Sequence, residues 1–156
     1  MKKSVRLLLI CLAVPLTVGI LSGILSGAGM EQYSEVNKPS LSPPGFIFPL
    51  VWSVLYILMG LSSYLILTSD VPLPQRNRAM LVYILQLIVN FFWSPIFFGL
   101  DAYLFAFIWL VLLWLLIILM IYQFYKISKP AALLQIPYLV WVTFAGYLNL
   151  MVAILN

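Results

Sequence analysis

The stretch LVLLWLLIIL at residues 110–119 contains no charged side chain and no alternation of apolar with polar residues. It lies inside an uncharged window that spans residues 102–125. Four further uncharged windows occupy residues 7–30, 39–69, 79–100 and 130–156. Each window exceeds the roughly 20 residues that a helix needs to cross a bilayer, whereas barrel strands of about 10 residues alternate in polarity. The sequence therefore predicts an all-α membrane protein, a bundle of five transmembrane helices.

The composition supports one membrane domain that covers residues 1–156. The chain is 65% hydrophobic and only 8% charged, against about 25% charged residues in soluble domains. The predicted spans are about 7–27, 44–68, 78–99, 102–124 and 130–154. The first uncharged window is longer than the apolar region of a signal peptide, about 7–15 residues, so it is interpreted as a retained span. A cleaved signal peptide is the alternative.

The basic residues predict an orientation in the cell membrane. With five spans, seven of the eight lysines and arginines fall on the side of the N-terminus. These seven are Lys2, Lys3, Arg6, Arg76, Arg78, Lys126 and Lys129, and the eighth is Lys38 in the first loop. Because cytoplasmic loops carry an excess of lysine and arginine, we expect a cytoplasmic N-terminus, with the first loop and the C-terminus outside.

The residue content excludes several classes of function. The chain has no histidine and one cysteine, Cys11, which disfavours metal, haem and disulfide sites. No metal site and no required cofactor are predicted. No charged residue lies deep in a span, which disfavours an ion-coupled pump. The scattered basic residues form no stripe of the kind that binds nucleic acid, and no nucleic-acid partner is expected.

Aromatic and amide side chains line one face of three predicted spans at helical spacing. These faces are Phe48, Trp52, Tyr56 and Met59; Tyr83, Gln86, Asn90, Trp93 and Phe97; and Tyr138, Trp141, Ala145 and Asn149. An amide in hydrocarbon is costly without a partner, so these faces should turn toward protein or a cavity. We expect them to form a pocket for a flat apolar ligand under the first loop, residues 28–44. Simple packing, or an interfacial aromatic belt, is the alternative.

Two other spans carry different patterns. Gly19, Gly23 and Gly27 repeat every fourth residue of the first span, which predicts close helix packing within the bundle or in a dimer. The fourth span lacks strongly polar residues between Leu104 and Ile121. It is therefore the best candidate for a helix that faces lipid or a second copy.

Three segments resemble the tryptophan-rich sensory protein/translocator protein family, also called the peripheral benzodiazepine receptor (TspO/MBR) family. They are KPSLSPPG at 38–45 with Tyr33 before it and Trp52 after it, QLIVNFFWSPIFF at 86–98, and PYLVWVTFAGYLN at 137–149. The segments occur in the family's order over nearly the whole chain. The sequence departs from the family pattern at Gln32 and Leu41, where many members have tryptophan.

The resemblance implies a five-helix bundle, often a homodimer, with a ligand pocket beneath the first loop. It implies binding of porphyrins such as protoporphyrin IX and of isoquinoline or benzodiazepine-type ligands. The positions that match the family's pocket are Ser22, Tyr33, Pro43, Trp52, Asn90, Trp93, Trp141 and Ala145. The tryptophans tied to light-dependent porphyrin breakdown match Trp52 and Trp141.

Three functions remain open at the level of sequence. The first is a membrane receptor or sensor for porphyrins, and the second is a light- and oxygen-dependent porphyrin-degrading enzyme that would use Trp52 and Trp141 as catalytic residues. The third is a passive transporter of porphyrins or lipids.

Overall fold

The computed structural model describes residues 4–27 and 29–156. Its helices are α1 (Val5–Leu25), α2 (Gly29–Glu35), α3 (Ile47–Leu67), α4 (Leu73–Ser94), α5 (Tyr103–Tyr125), α6 (Lys129–Leu133) and α7 (Ile136–Leu155). A π-helical turn, Pro95–Gly99, extends α4. Within the described part of the chain, five segments are long and apolar enough to cross a membrane, as predicted. They are Val5–Leu25, Ile47–Leu67, Leu73–Gly99, Tyr103–Tyr125 and Lys129–Leu155.

The second and third spans begin furthest from the predicted residues. The second starts at Ile47, not at about 44, because the chain first makes a turn in which the Ile47 amide donates to the Pro44 carbonyl at 3.0 Å. The third starts at Leu73, not at about 78, with a proline in its first turn, where a missing N–H costs nothing. Arg76 therefore lies in the first turns of a helix and not in the preceding loop.

The fifth span is interrupted between α6 and α7, at Leu134 and Gln135. Pro137 has no N–H for the carbonyl four residues earlier, and such a proline breaks or kinks a helix. The break is tied to α3 by side chains. The Ser62 hydroxyl donates to the backbone carbonyl of Ala131 at 2.6 Å, and the side-chain amide of Gln135 donates to the backbone carbonyl of Leu58 at 3.5 Å.

In the bundle, α1 packs along α3 and more lightly on α4, and α5 lies between α4 and α7. The fourth span was expected to face lipid or a second copy, and only one side of α5 is left exposed by the bundle for such a contact. Its other side is buried through Ala106, Leu110, Leu113, Ile117, Met120 and Phe124. Because this helix is apolar all round, its periodicity could not distinguish the two sides.

Candidate ligand-binding site

A cavity of about 260 Å³ lies between α1, α3 and α4, near the end of the bundle that carries the first loop. We call it the main cavity because it is more enclosed than two larger apolar grooves, of about 680 and 420 Å³, that lie open at the surface of the bundle. It is lined by Gly19, Ser22, Gly23, Ser26, Gly27, Phe48, Pro49, Trp52, Tyr56, Asn90, Trp93, Ser94 and Phe98. Four of the residues predicted for the pocket, Ser22, Trp52, Asn90 and Trp93, are thus brought together.

The first span supplies one wall of the main cavity through its small residues. A Cβ added at Gly23 would meet no atom within 4 Å, so this part of the glycine stripe faces open space. The Ser22 hydroxyl donates to the Phe91 carbonyl at 2.7 Å. Pro95 lacks the N–H that would normally bind that carbonyl in a helix, so Ser22 satisfies a group that Pro95 leaves free.

Aromatic rings and an amide form the opposite walls. Trp52 stacks on Tyr56 with ring centroids 5.6 Å apart and an interplanar angle of 29°. The Tyr56 hydroxyl donates to Asn90 Oδ1 at 2.8 Å. Trp93 donates from its indole nitrogen to Asn149 Oδ1 at 3.1 Å, which fixes the ring. The Tyr56 and Trp93 rings are therefore held by hydrogen bonds at their polar ends, and all three rings line the main cavity.

Behind this wall, the amides predicted to need partners have them. Asn90 Nδ2 donates to the Tyr138 hydroxyl at 2.8 Å, and that hydroxyl donates to Gln86 Oε1, also at 2.8 Å. Gln86 and Tyr138 are both fully buried. The fifth span therefore supports the site through Tyr138 without lining the main cavity.

Tyr33 and Ala145 line a neighbouring gap of about 20 Å³. Phe48, Trp93 and Phe98 border both spaces and form the partition between them. Tyr33 lies on α2 in the first loop, with its ring 5.6 Å from Phe48 and 5.9 Å from Phe98 between centroids. Burial raises the pKa of the Tyr33 hydroxyl, so a neutral phenol closes this end of the site.

The first loop is also fastened to α7. The Asn156 side chain accepts from the backbone N–H of Asn37 at 3.2 Å and donates to the backbone carbonyl of Asn37 at 2.9 Å. The Lys38 ammonium lies 4.6 Å from the centroid of the Tyr33 ring. These contacts hold the loop over the aromatic partition.

Two further predicted site residues, Pro43 and Trp141, line neither the main cavity nor the neighbouring gap. Trp141 lines an apolar groove between α3 and α7, and its ring meets Phe48 at 5.8 Å between centroids. Pro43 is partly exposed in the first loop and is not among the lining residues. Trp141 therefore adjoins the main cavity only through Phe48.

The expectation that the second, third and fifth spans build the pocket needs a correction. The first span takes the place of the fifth. The lining residues that were not predicted for a pocket are Gly19, Gly23, Gly27, Pro49, Ser94 and Phe98. The glycine stripe and Ser22 were the available signals, but the same stripe is equally typical of a helix contact.

Comparison with known proteins agrees with the motifs. The model of the TspO/MBR family matches residues 11–155. The chain is 36% identical to the tryptophan-rich protein TspO of Chlorobaculum tepidum over 100% of this chain and 99% of that protein. It is 34% identical to the tryptophan-rich sensory protein of Cereibacter sphaeroides, over 76% of this chain and 73% of the relative. It is also 34% identical to the human translocator protein, over 82% of this chain and 76% of that protein.

Proposed function

The chain belongs to the TspO/MBR family of membrane proteins, and we propose that it is a receptor or sensor that binds porphyrins and similar flat apolar ligands in the main cavity. The observation that carries the proposal is the cavity itself, with Trp52 and Trp93 on its walls and Asn90 as a fixed polar group. Small-molecule sites are mostly apolar and contain a few placed polar groups, and this composition fits that description.

The size of the main cavity bears on how such a ligand would sit. Its volume of about 260 Å³ is slightly below the usual range of about 300–1,000 Å³ for small-molecule pockets. Gly23 and Pro49 line the cavity and are exposed, so its side between α1 and α3 is open. We propose that a tetrapyrrole lies against Trp52 with part of its ring system extending through this side.

The charges at the two ends of the bundle support a proposal for the orientation of the chain. Among the described residues, the end where α1 begins carries Arg6, Arg76, Arg78, Lys126, Lys129 and Asp70, and the loop end carries Lys38, Glu31, Glu35 and Asp101. We therefore propose a cytoplasmic N-terminus and a main cavity near the outer face. Labelling of a cysteine placed at Ser40 from outside intact cells tests this orientation, and labelling only after lysis contradicts it.

The binding proposal is tested by titrating the full chain in lipid nanodiscs with protoporphyrin IX in the dark. We expect saturable quenching of tryptophan fluorescence. Trp52→Ala should weaken binding about tenfold, because it removes an aromatic contact worth about 0.5–1.5 kcal/mol beyond its buried area. The matched control is Trp114→Ala, since Trp114 lies in a surface groove between α5 and α7. Equal affinities of the two variants would contradict the site.

A further inference from the structure

A directed chain of hydrogen bonds runs from the main cavity into the bundle. Tyr138 has one hydroxyl hydrogen, which it gives to Gln86 Oε1 at 2.8 Å. Its oxygen therefore accepts from Asn90 Nδ2, at 2.8 Å. With its nitrogen turned toward Tyr138, Asn90 turns its oxygen toward Tyr56, whose hydroxyl donates to it at 2.8 Å. Each bond sets the direction of the next, and Gln86 sets the first.

This direction determines what the cavity end of the chain offers to a ligand. Tyr56 lines the main cavity, and its only hydroxyl hydrogen is used by Asn90. The Tyr56 oxygen still has lone pairs. The Asn90 nitrogen points to Tyr138, which is fully buried and does not line the cavity. At the cavity end of the chain, the Tyr56 hydroxyl therefore offers a ligand an acceptor and no donor.

The serines at the wall of the main cavity also use their hydroxyl hydrogens within the protein. Ser22 donates its hydrogen to the Phe91 carbonyl, and Ser26 donates its own to the Ser22 carbonyl, each at 2.7 Å. The Ser26 and Ser94 oxygens lie 2.7 Å apart, and because the Ser26 hydrogen is already used, Ser94 is the donor between them. All four hydroxyl groups at the cavity wall thus retain lone pairs and have no free hydrogen.

We propose that the hydroxyl groups of the main cavity favour flat ligands that carry an N–H or O–H donor, and that Gln86 is the positioning residue that sets this preference at Tyr56. The inference rests on the proposed function, in which this cavity is the ligand site. A donor that reaches the Tyr56 oxygen extends the chain in its existing direction, and hydrogen bonds in such chains polarise and strengthen one another. Gln86 acts only through Tyr138 and Asn90, since it does not line the cavity.

The experiment compares two planar tricycles of nearly equal shape, carbazole, which has an N–H donor, and dibenzofuran, which has none. Binding to the full chain in nanodiscs is measured by competition with protoporphyrin IX and corrected for partition into empty nanodiscs. We expect carbazole to bind about three- to tenfold more tightly, the usual worth of one net hydrogen bond. If protoporphyrin IX binds but carbazole has no advantage, this inference alone is overturned. If protoporphyrin IX itself does not bind saturably, the proposed function fails, and the inference fails with it.

Gln86→Met tests the positioning role with a side chain of similar size. Without the Gln86 oxygen, the Tyr138 hydrogen turns to Asn90, the amide reverses, and the Tyr56 hydrogen is released toward the cavity. The preference for carbazole should then disappear or reverse. The control is Met59→Leu, because the Met59 sulfur contacts the other end of the Gln86 amide at 4.0 Å and its loss leaves the Gln86 oxygen in place. An unchanged preference in Gln86→Met would overturn the positioning role.

A second variant keeps the inference testable if Gln86→Met fails to fold. Tyr56→Phe removes the accepting oxygen from the wall while keeping the ring that stacks on Trp52. Carbazole should lose its advantage of about three- to tenfold, and dibenzofuran should keep its affinity. A carbazole advantage that survives in Tyr56→Phe would refute the assigned acceptor.

Discussion

The contact between α1 and α3 differs sharply between its two ends. At one end, a Cβ added to Gly60 would lie 2.7 Å from the Cys11 carbonyl oxygen and 2.8 Å from the Leu12 Cα, so the two backbones touch. At the other end, a Cβ at Gly23 would meet nothing within 4 Å. Glycine therefore permits close approach of the helices at one end and leaves room for the main cavity at the other.

Between these ends, Gly19 marks the boundary of the main cavity. A Cβ there would overlap with Cε2 of the Tyr56 ring. Gly19 thus gives space to a side chain, whereas Gly60 gives space to a backbone. Backbone atoms in a packed helix pair yield less readily than a ring, and this difference orders the expected effects of adding one methyl group.

We expect the largest effect from Gly60→Ala. The new methyl group forces α1 and α3 apart, and overpacking of this kind typically costs about 1–3 kcal/mol in the free energy of unfolding. Thermal unfolding of the solubilised protein measures the loss. Gly146→Ala is the control, because its Cβ would lie 3.8 Å from Leu110 Cδ2, an ordinary contact. A melting temperature of Gly60→Ala equal to that of the control would show that the close end tolerates a side chain.

Gly19→Ala should have a smaller effect on stability. The methyl group displaces the Tyr56 ring, which then loses its hydrogen bond to Asn90, worth about 0.5–1.5 kcal/mol. A double-mutant cycle with Tyr56→Phe isolates this cause. If the hydrogen bond carries the loss, Gly19→Ala should cost little more in a Tyr56→Phe background, and full additivity of the two changes would reject the explanation.

The smallest effect on stability is expected at the open end. Gly23→Ala and Gly23→Leu should each change the free energy of unfolding by no more than about 0.5 kcal/mol, as is usual away from packed contacts. Gly23→Leu nevertheless fills part of the main cavity, so it should reduce protoporphyrin IX affinity, with Gly23→Ala intermediate. Normal porphyrin binding by a stably folded Gly23→Leu protein would place the ligand elsewhere.

The glycines show how far the sequence could predict the site. The stripe at Gly19, Gly23 and Gly27 predicted close packing within the bundle or in a dimer. Within the bundle, an added Cβ is crowded at Gly19 but meets no atom within 4 Å at Gly23. Gly60, which makes the closest backbone contact, belongs to no stripe and was not predicted. Sequence spacing identifies a helix face of small residues, but the distance from that face to the next helix depends on how far the two helices diverge along their length.

The polar residues were more informative. Gln86 and Asn90 were expected to face protein or a cavity because an unpaired amide in hydrocarbon is costly. Both are buried and hydrogen-bonded, and Asn90 lines the main cavity. Their partner Tyr138 was predicted to lie on an aromatic face. Only the fold shows that its hydroxyl connects Asn90 to Gln86 at the centre of the network. Trp141 lies on the same predicted face and borders a separate groove.

The sequence by itself determined the five spans and the faces that carry aromatic and amide side chains. Charges cannot enter hydrocarbon cheaply, and helical periodicity places residues three and four apart on one side. Only the tertiary structure decided that α1 forms the wall that was expected from α7, and which way the hydrogen bonds from Tyr56 to Gln86 point. Periodicity describes one helix at a time, whereas a cavity and a directed network depend on the separation and partners of several helices.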